Sequence, residues 1–189
     1  MRVLLIGAPG AGKGTQGIRV AQHFGLSHIS SGDLLRQHMA EGTTIGRAVR
    51  EYVRRGDLVP DAIIMDMLRK PVVAASSANG YVLDGFPRTV AQAEAAYEIA
   101  RELGVAVQLA VHLDVPRQEL IRRLLARGRG DEDTEAVIAH RLDVYDRNTR
   151  PMLDYYADRE TLVTVNGSRP MNEVTWSVLV QLESLTRTG

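Results

Sequence analysis

The chain has no cysteine, only two lysines, one tryptophan and no excess of either charge. Without cysteine there is no disulfide, no thiolate zinc site and no thiol nucleophile. Aromatic residues make up 5% and the 23 acidic residues balance the 23 basic ones, which argues against the basic, aromatic-studded surface of a nucleic-acid binder. No apolar run approaches the roughly 20 residues that cross a bilayer. The opening MRVLLIGAPG has a hydrophobic stretch of about four residues, too short for the core of a secretion signal. These absences predict a cytoplasmic globular protein with no membrane and no nucleic-acid partner. At 189 residues it is long enough for one well-cored domain and too short for two full-sized ones.

The scarcity of lysine is itself informative. Of the 23 basic residues two are lysine, Lys13 and Lys70, so 21 are arginine. A GC-rich genome accounts for that bias, and against such a background a retained lysine marks a slot that a guanidinium would not fit. Lys13 lies in GAPGAGKGT, residues 7–15, directly after the apolar run RVLLI. Gly-x4-Gly-Lys between a strand and a helix is a phosphate-cradling loop. Its glycines let successive N–H groups converge on phosphate oxygens, the helix N-terminus adds a favourable dipole, and the ammonium reaches the outer phosphates. Gly14 stands where Ser or Thr normally follows the lysine, and Thr15 comes one place later. That displaces the usual magnesium-binding hydroxyl and disfavours a generic ATPase or a switch GTPase. The GTPase also needs an Asn-Lys-x-Asp motif, and neither lysine is preceded by Asn.

Apolar runs and helix-period segments alternate along the chain. Strands are predicted at residues 3–6, 28–30, 81–83, 107–113 and 162–165. Helices are predicted at 12–24, 33–40, 45–54, 61–75, 90–103, 117–126, 135–157 and 172–185. Pro60 and Pro116 stand near two helix starts, where a missing N–H does no harm. The pattern is that of an open α/β sheet with its ligands at the carboxyl ends of the strands. Residues 31–76 contain no strand signal and are expected to stand off the sheet as a lobe. ARGRGDEDT, residues 126–134, reads either as a solvated helix–helix turn or as a charged functional loop.

Asp84 ends the apolar strand of YVLDGFPRT. A strand-end Asp alone is more often a turn former; coupled to a phosphate loop it is a candidate for holding Mg²⁺ through water. Arginines accumulate at irregular places: Arg36, Arg88, Arg123, Arg127, Arg129 and Arg141. Arg123 and Arg127 are four apart and share a helical face leading into the glycine-punctuated turn that holds Arg129. Forked guanidiniums suit phosphate oxygens. None of the five histidines lies in a recognisable motif. A site rich in Arg and poor in bases suits transfer to another phosphate, whose oxygen is already an anion, so that alignment and charge neutralisation suffice.

Taken together, GAPGAGKGTQ, SSGDLLR, GDLVPD, LDGFPRTVAQA and ARGRGDED resemble the adenylate kinase family, in order and at its spacings from residue 1 to about 185. GKGT in place of GKT is that family's own variant. The resemblance implies a P-loop NTPase three-layer α/β fold with a five-stranded parallel sheet flanked by helices. It implies a monomer built as a single domain over 1–189: a core of 1–29, 60–126 and 134–189, a monophosphate-binding lobe at about 30–59, and a short lid at about 127–133. The implied reaction is reversible, Mg²⁺-dependent transfer of the γ-phosphoryl of ATP to AMP, giving two ADP. By the same resemblance Gly10, Ala11, Gly12, Lys13, Gly14 and Thr15 hold the ATP phosphates, Arg127 faces ATP, and Gly167 offers backbone to adenine. Arg123 clamps phosphate or stacks on the base. The AMP side uses Ser31, Arg36, the backbone of Asp57, Leu58 and Val59, then Gly85, Phe86, Pro87, Arg88, Gln92, Arg129 and Arg141. Asp33 and Asp84 hold the waters of Mg²⁺.

Three details depart from the commoner family pattern. Ser31 replaces Thr, the lid is cut to a few residues with no cysteine for zinc, and the interval from Arg129 to Arg141 is one residue longer than in other short forms, through DED. Gln92 bears on the acceptor. Its amide can both donate to and accept from an adenine edge, whereas the related UMP/CMP kinases, the alternative reading, usually carry Asn on the equivalent helix. A lid this short should exclude water incompletely. ADP release from MgATP without AMP should therefore be slow but measurable, and an assay showing no turnover would count against that expectation.

Overall fold

The computed structural model describes residues 1–187. Five strands, β1 (Arg2–Ile6), β2 (Ser27–Ser30), β3 (Tyr81–Asp84), β4 (Leu109–Asp114) and β5 (Leu162–Asn166), run parallel in the order β2-β3-β1-β4-β5. The helices are α1 (Lys13–Phe24), α2 (Ser31–Ala40), α3 (Thr44–Arg55), α4 (Asp61–Ala78), α5 (Val90–Glu102), α6 (Arg117–Arg127), α7 (Glu135–Val144), α8 (Met152–Ala157) and α9 (Met171–Arg187).

Parallel strands joined by helices are covered on both faces, which is why β1 reads as an unbroken apolar run. Side chains alternate across it. Val3 and Leu5 join Val82, Val111 and Leu113 in a core shared with Val20 of α1, Leu124 of α6 and Val178 of α9. Leu4 and Ile6 join Ile29, Leu83 and Ala110 in a second core with Leu68 of α4, Ala93 of α5 and Met152 of α8. Two cores separated by one sheet make the three-layer α/β fold that the sequence predicts. All five predicted strands form, with ends shifted by one or two residues.

One predicted element is corrected. Residues 135–157 are not a single helix: α7 passes into a π-helical turn, Tyr145–Thr149, before α8. Arg150 donates its N–H to the Tyr145 carbonyl, a wide five-residue bond, and Pro151 then supplies no N–H at all. The bulge brings the buried Thr149 against the loop after β3, where its hydroxyl donates to the Arg88 carbonyl at 2.8 Å. Pro60 and Pro116 sit at the N-cap positions of α4 and α6.

Between β2 and α4 the chain makes the packed pair α2 and α3. They approach so closely that a Cβ on Gly46 would lie 2.0 Å from the His38 carbonyl oxygen and 2.7 Å from the Met39 nitrogen. Alanine is intrinsically the better helix former by about 1 kcal/mol, but here it must push two backbones apart. Gly46→Ala should therefore lower stability by about 2–4 kcal/mol, read as a fall in the urea midpoint at unchanged slope. A stabilised variant would show that α2 and α3 can separate at little cost.

Candidate active site

The carboxyl ends of the parallel strands open on one edge of the sheet, and strand order reverses at β1, which has β3 on one side and β4 on the other. The loop after β1 occupies that point. Gly10 and Gly12 take φ of +86° and +97°, a region side chains resist. The tight turn, with Ala11 N–H donating to the Ala8 carbonyl, delivers the chain to α1. That helix starts without a capping side chain, so its first N–H groups remain for an anion.

Lys13 folds back over this loop. Its Nζ donates to the carbonyls of Gly7 (2.8 Å) and Ala8 (3.1 Å), which leaves one N–H donor for a ligand. Burial pushes the ammonium down to about 8, and Arg88, Arg141 and Arg127 push the same way, while Asp84 opposes them. Asp84 is buried at the end of β3, and a Cβ on Gly14 would stand 3.7 Å from its Oδ2.

These groups line a cleft of about 870 Å³ together with Gly10, Ala11, Gly12, Gly14, Thr15, Asp33, Arg36, Gly85, Arg88, Arg123, Arg127, Arg129, Arg141 and Gly167. A small adjoining hollow adds Leu58 and Pro87 beside Lys13, Gly85, Arg88 and Arg141. No histidine lines either space. A separate cavity of about 760 Å³ between α4 and α5 is mostly apolar and shares only Phe86 and Pro87 with the predicted site.

Arg88, Arg123, Arg127 and Arg141 are each aimed by a partner. Arg88 Nε donates to the Gly85 carbonyl at 2.7 Å, and its own backbone is held by Gln92 and Thr149. Arg123 bridges Glu119 at 2.7 Å and the Gly167 carbonyl at 2.9 Å. Arg127 makes a forked pair with Asp133, at 2.8 and 2.5 Å, and the Arg129 N–H donates to the same carboxylate. The Asp133 side chain is 1% exposed; burial opposes its charge, but Arg127 and the Arg129 amide hold its pKa below the usual carboxylate range. Arg141 reaches the cleft despite the longer interval from Arg129, donating to the Glu132 carbonyl at 3.1 Å. Burial and then Arg127 bring its pKa down to about 10. Burial likewise lowers Arg88 and Arg129.

The remaining predicted residues stand behind this surface. The Ser31 hydroxyl is buried, makes no hydrogen bond, and sits where a Cβ on Gly85 would be 2.5 Å away. Phe86 and Val59 are in the core. The Asp57 carboxylate is paired with His140 at 2.6 Å. Two of the predicted residues already have hydrogen-bond partners in this structure. The Gln92 amide does not stand free: its Oε1 accepts from Arg88 N–H at 2.7 Å and its Nε2 donates to Asp61 at 2.6 Å. The Gly167 N–H is committed to the Asp114 carbonyl and its own carbonyl to Arg123, so less backbone is offered there than expected. Sequence reasoning missed Glu119, Asp133 and Thr149. The first is four residues before Arg123, a legible helical pairing; the others had no sequence signal beyond an acid-rich turn and a hydroxyl.

Asp33 and Asp84 supply hard oxygen ligands on the cleft wall, which suits a hydrated Mg²⁺ also held by phosphates. Asp33 is kept ionised by Arg36, 2.5 Å away, against the effect of burial.

The family model described as adenylate kinase matches residues 5–161. Adenylate kinase 1 of Nostoc sp. is 43% identical over 97% of this chain and 99% of its own length. The adenylate kinase of Leptospira biflexa is 43% identical over 94% of this chain and 97% of its own, and that of Mycobacteroides abscessus 43% over 92% and 94%.

The depressed Lys13 pKa has a measurable consequence. At about pH 9 most Lys13 side chains are neutral, and phosphate anions favour the charged form. Binding of a non-hydrolysable ATP analogue should therefore take up protons there and weaken as pH rises through about 8. Calorimetry in two buffers of different ionisation enthalpy reads the uptake, and most of it should disappear with Lys13→Met.

Proposed function

The chain belongs to the adenylate kinase family and is a nucleoside monophosphate kinase, and from that premise we propose that it transfers the γ-phosphoryl of ATP to AMP, reversibly and with Mg²⁺, giving two ADP. The supporting observation is the cleft: one loop lysine and the six predicted arginines line it together with Arg122 and Arg169, and no histidine does. Such a surface neutralises and aligns phosphates and supplies no obvious base.

In this reading Gly10 to Thr15 present their N–H groups to the donor phosphates, and Lys13 reaches the β and γ oxygens. Arg123 and Arg127 stand on the donor side, and Gly167 lies beside the adenine. Ser31, Arg36, the backbone of Asp57 to Val59, Gly85 to Arg88, Gln92, Arg129 and Arg141 form the acceptor side. The unpartnered Ser31 hydroxyl fits there, since a buried hydroxyl without a bond favours a ligand that supplies one. An anionic AMP oxygen attacks the γ-phosphorus in line. The new P–O bond forms as the bond to the bridging oxygen breaks, and the electron pair leaves with the β-phosphate. No proton moves, so catalysis rests on positioning and on the guanidiniums that meet the charge of the transferring group. Asp33 and Asp84 would hold Mg²⁺ through its waters, and the ion would supply further neutralisation of phosphate charge.

Residues 30–59 and 127–133 act as lobe and lid over a core of 1–29, 60–126 and 134–189. The enzyme works as a cytoplasmic monomer in adenine nucleotide homeostasis, as the family resemblance implies.

Phosphoryl transfer from MgATP to AMP, UMP, CMP and GMP, measured in parallel, tests this. AMP should be the preferred acceptor, and Lys13→Met should lower the rate by about a thousandfold. Preference for UMP or CMP would overturn the reading of Gln92 and leave the kinase assignment standing.

A further inference from the structure

Three acids follow Arg129 and they are not equivalent. Asp133 is buried and holds Arg127 in a forked pair. Asp131 is exposed. Glu132 lies between: its side chain is 18% exposed, and its Oε2 stands 3.7 Å from Arg36 Nη1 and 4.0 Å from Arg141 Nη1. Arg36 comes from α2 and Arg141 from α7, and both line the cleft. One carboxylate thus sits between two guanidiniums, each of which has one further acid beside it: Asp33 at Arg36 and Asp133, 3.7 Å away, at Arg141. Both contacts exceed hydrogen-bond length, so the attraction is Coulombic and loosely oriented, unlike the pair at Asp133.

We infer that Glu132 is an internal competitor for the acceptor's phosphate: its carboxylate neutralises Arg36 and Arg141 and must be displaced when a phosphate takes their N–H groups. The inference rests on the reading of Arg36 and Arg141 as acceptor-side groups. A phosphate dianion carries more charge than a carboxylate and can bridge both forks at hydrogen-bond distance, so displacement is favourable, but it starts from a neutralised pair. Glu132 therefore lowers acceptor affinity and acts as a positioning residue that sets the concentration range in which the acceptor binds. Asp33 also holds Arg36, through a separate contact on α2, so that arginine keeps one carboxylate partner when Glu132 is removed.

The test compares the full chain with Glu132→Gln and Glu132→Asp. With Glu132→Gln the KM and calorimetric Kd for AMP should fall about three- to tenfold, while the KM for ATP should change less than twofold. Glu132→Asp, with a shorter reach to both arginines, should fall between. Inorganic phosphate serves as a probe that needs only the arginines, and it too should bind severalfold tighter to Glu132→Gln. Weaker or unchanged binding of both AMP and phosphate would overturn the inference. Tighter phosphate binding with no AMP binding to either protein would uphold it and refute AMP as the acceptor. Equal changes in the KM values for AMP and ATP would point to a general loosening of the cleft and would also overturn it.

Discussion

Nine cations, Lys13 with Arg36, Arg88, Arg122, Arg123, Arg127, Arg129, Arg141 and Arg169, line one cleft in a chain whose net charge is zero. Holding like charges together in a partly dehydrated space is the constraint to which the surrounding structure answers. Burial and mutual repulsion lower the pKa of Lys13 and Arg141. The repulsion is contained by acids placed one by one: Asp84 near Lys13, Asp33 and Glu132 at Arg36, Glu119 at Arg123, and Asp133 at Arg127. Carbonyls do the same work for Lys13, Arg88, Arg123 and Arg141. The bound phosphates would complete the balance, which is why such a cleft prefers highly charged ligands.

The sheet makes this arrangement rigid where rigidity is needed. β1 is buried on both faces and delivers the glycine loop at the point where strand order reverses. The neighbouring strand ends bring Asp84 and Gly85 on one side and the Asp114 carbonyl, which fixes Gly167, on the other. The π-helical turn after α7 reaches across to clamp the Arg88 carbonyl from below. By contrast, α2 and α3 join the sheet's second core through only a few side chains such as Leu35 and Val49, and the short turn at Gly130–Asp133 is tied to α2 by the ion pair Arg36–Glu132. Such an ion pair is weaker and more exposed than a parallel β ladder.

The sequence was most legible where local chemistry is unambiguous. The run RVLLI followed by GAPGAGKGT predicts a buried strand, a phosphate loop and a helix, and all three are present. The central strands β1, β3 and β4 were readable because parallel strands covered on both sides are apolar almost throughout, whereas the edge strand β2, Ser-His-Ile-Ser, carries little such signal. The helix expected over 135–157 was misread because a π-helical turn has no composition of its own; only Pro151 hinted at a break, and helices can absorb a proline. Arg141 and Gln92 show the other limit. Both were named from motif resemblance, yet key partners, Glu132 and Asp133 for the one and Asp61 for the other, come from separate segments.

By itself, then, the amino-acid order determined which segments become strands, where backbone must approach an anion, and which ammonium serves it. Those properties depend on periodicity, glycine conformation and side-chain type within a few residues. Only the tertiary structure decided how the cations are neutralised: that Asp133 is a fixed anchor, that Glu132 is a loose bridge between α2 and α7, and that Thr149 steadies Arg88. Pairings of that kind depend on distances between elements far apart in the chain, and no local pattern encodes a distance across a cleft.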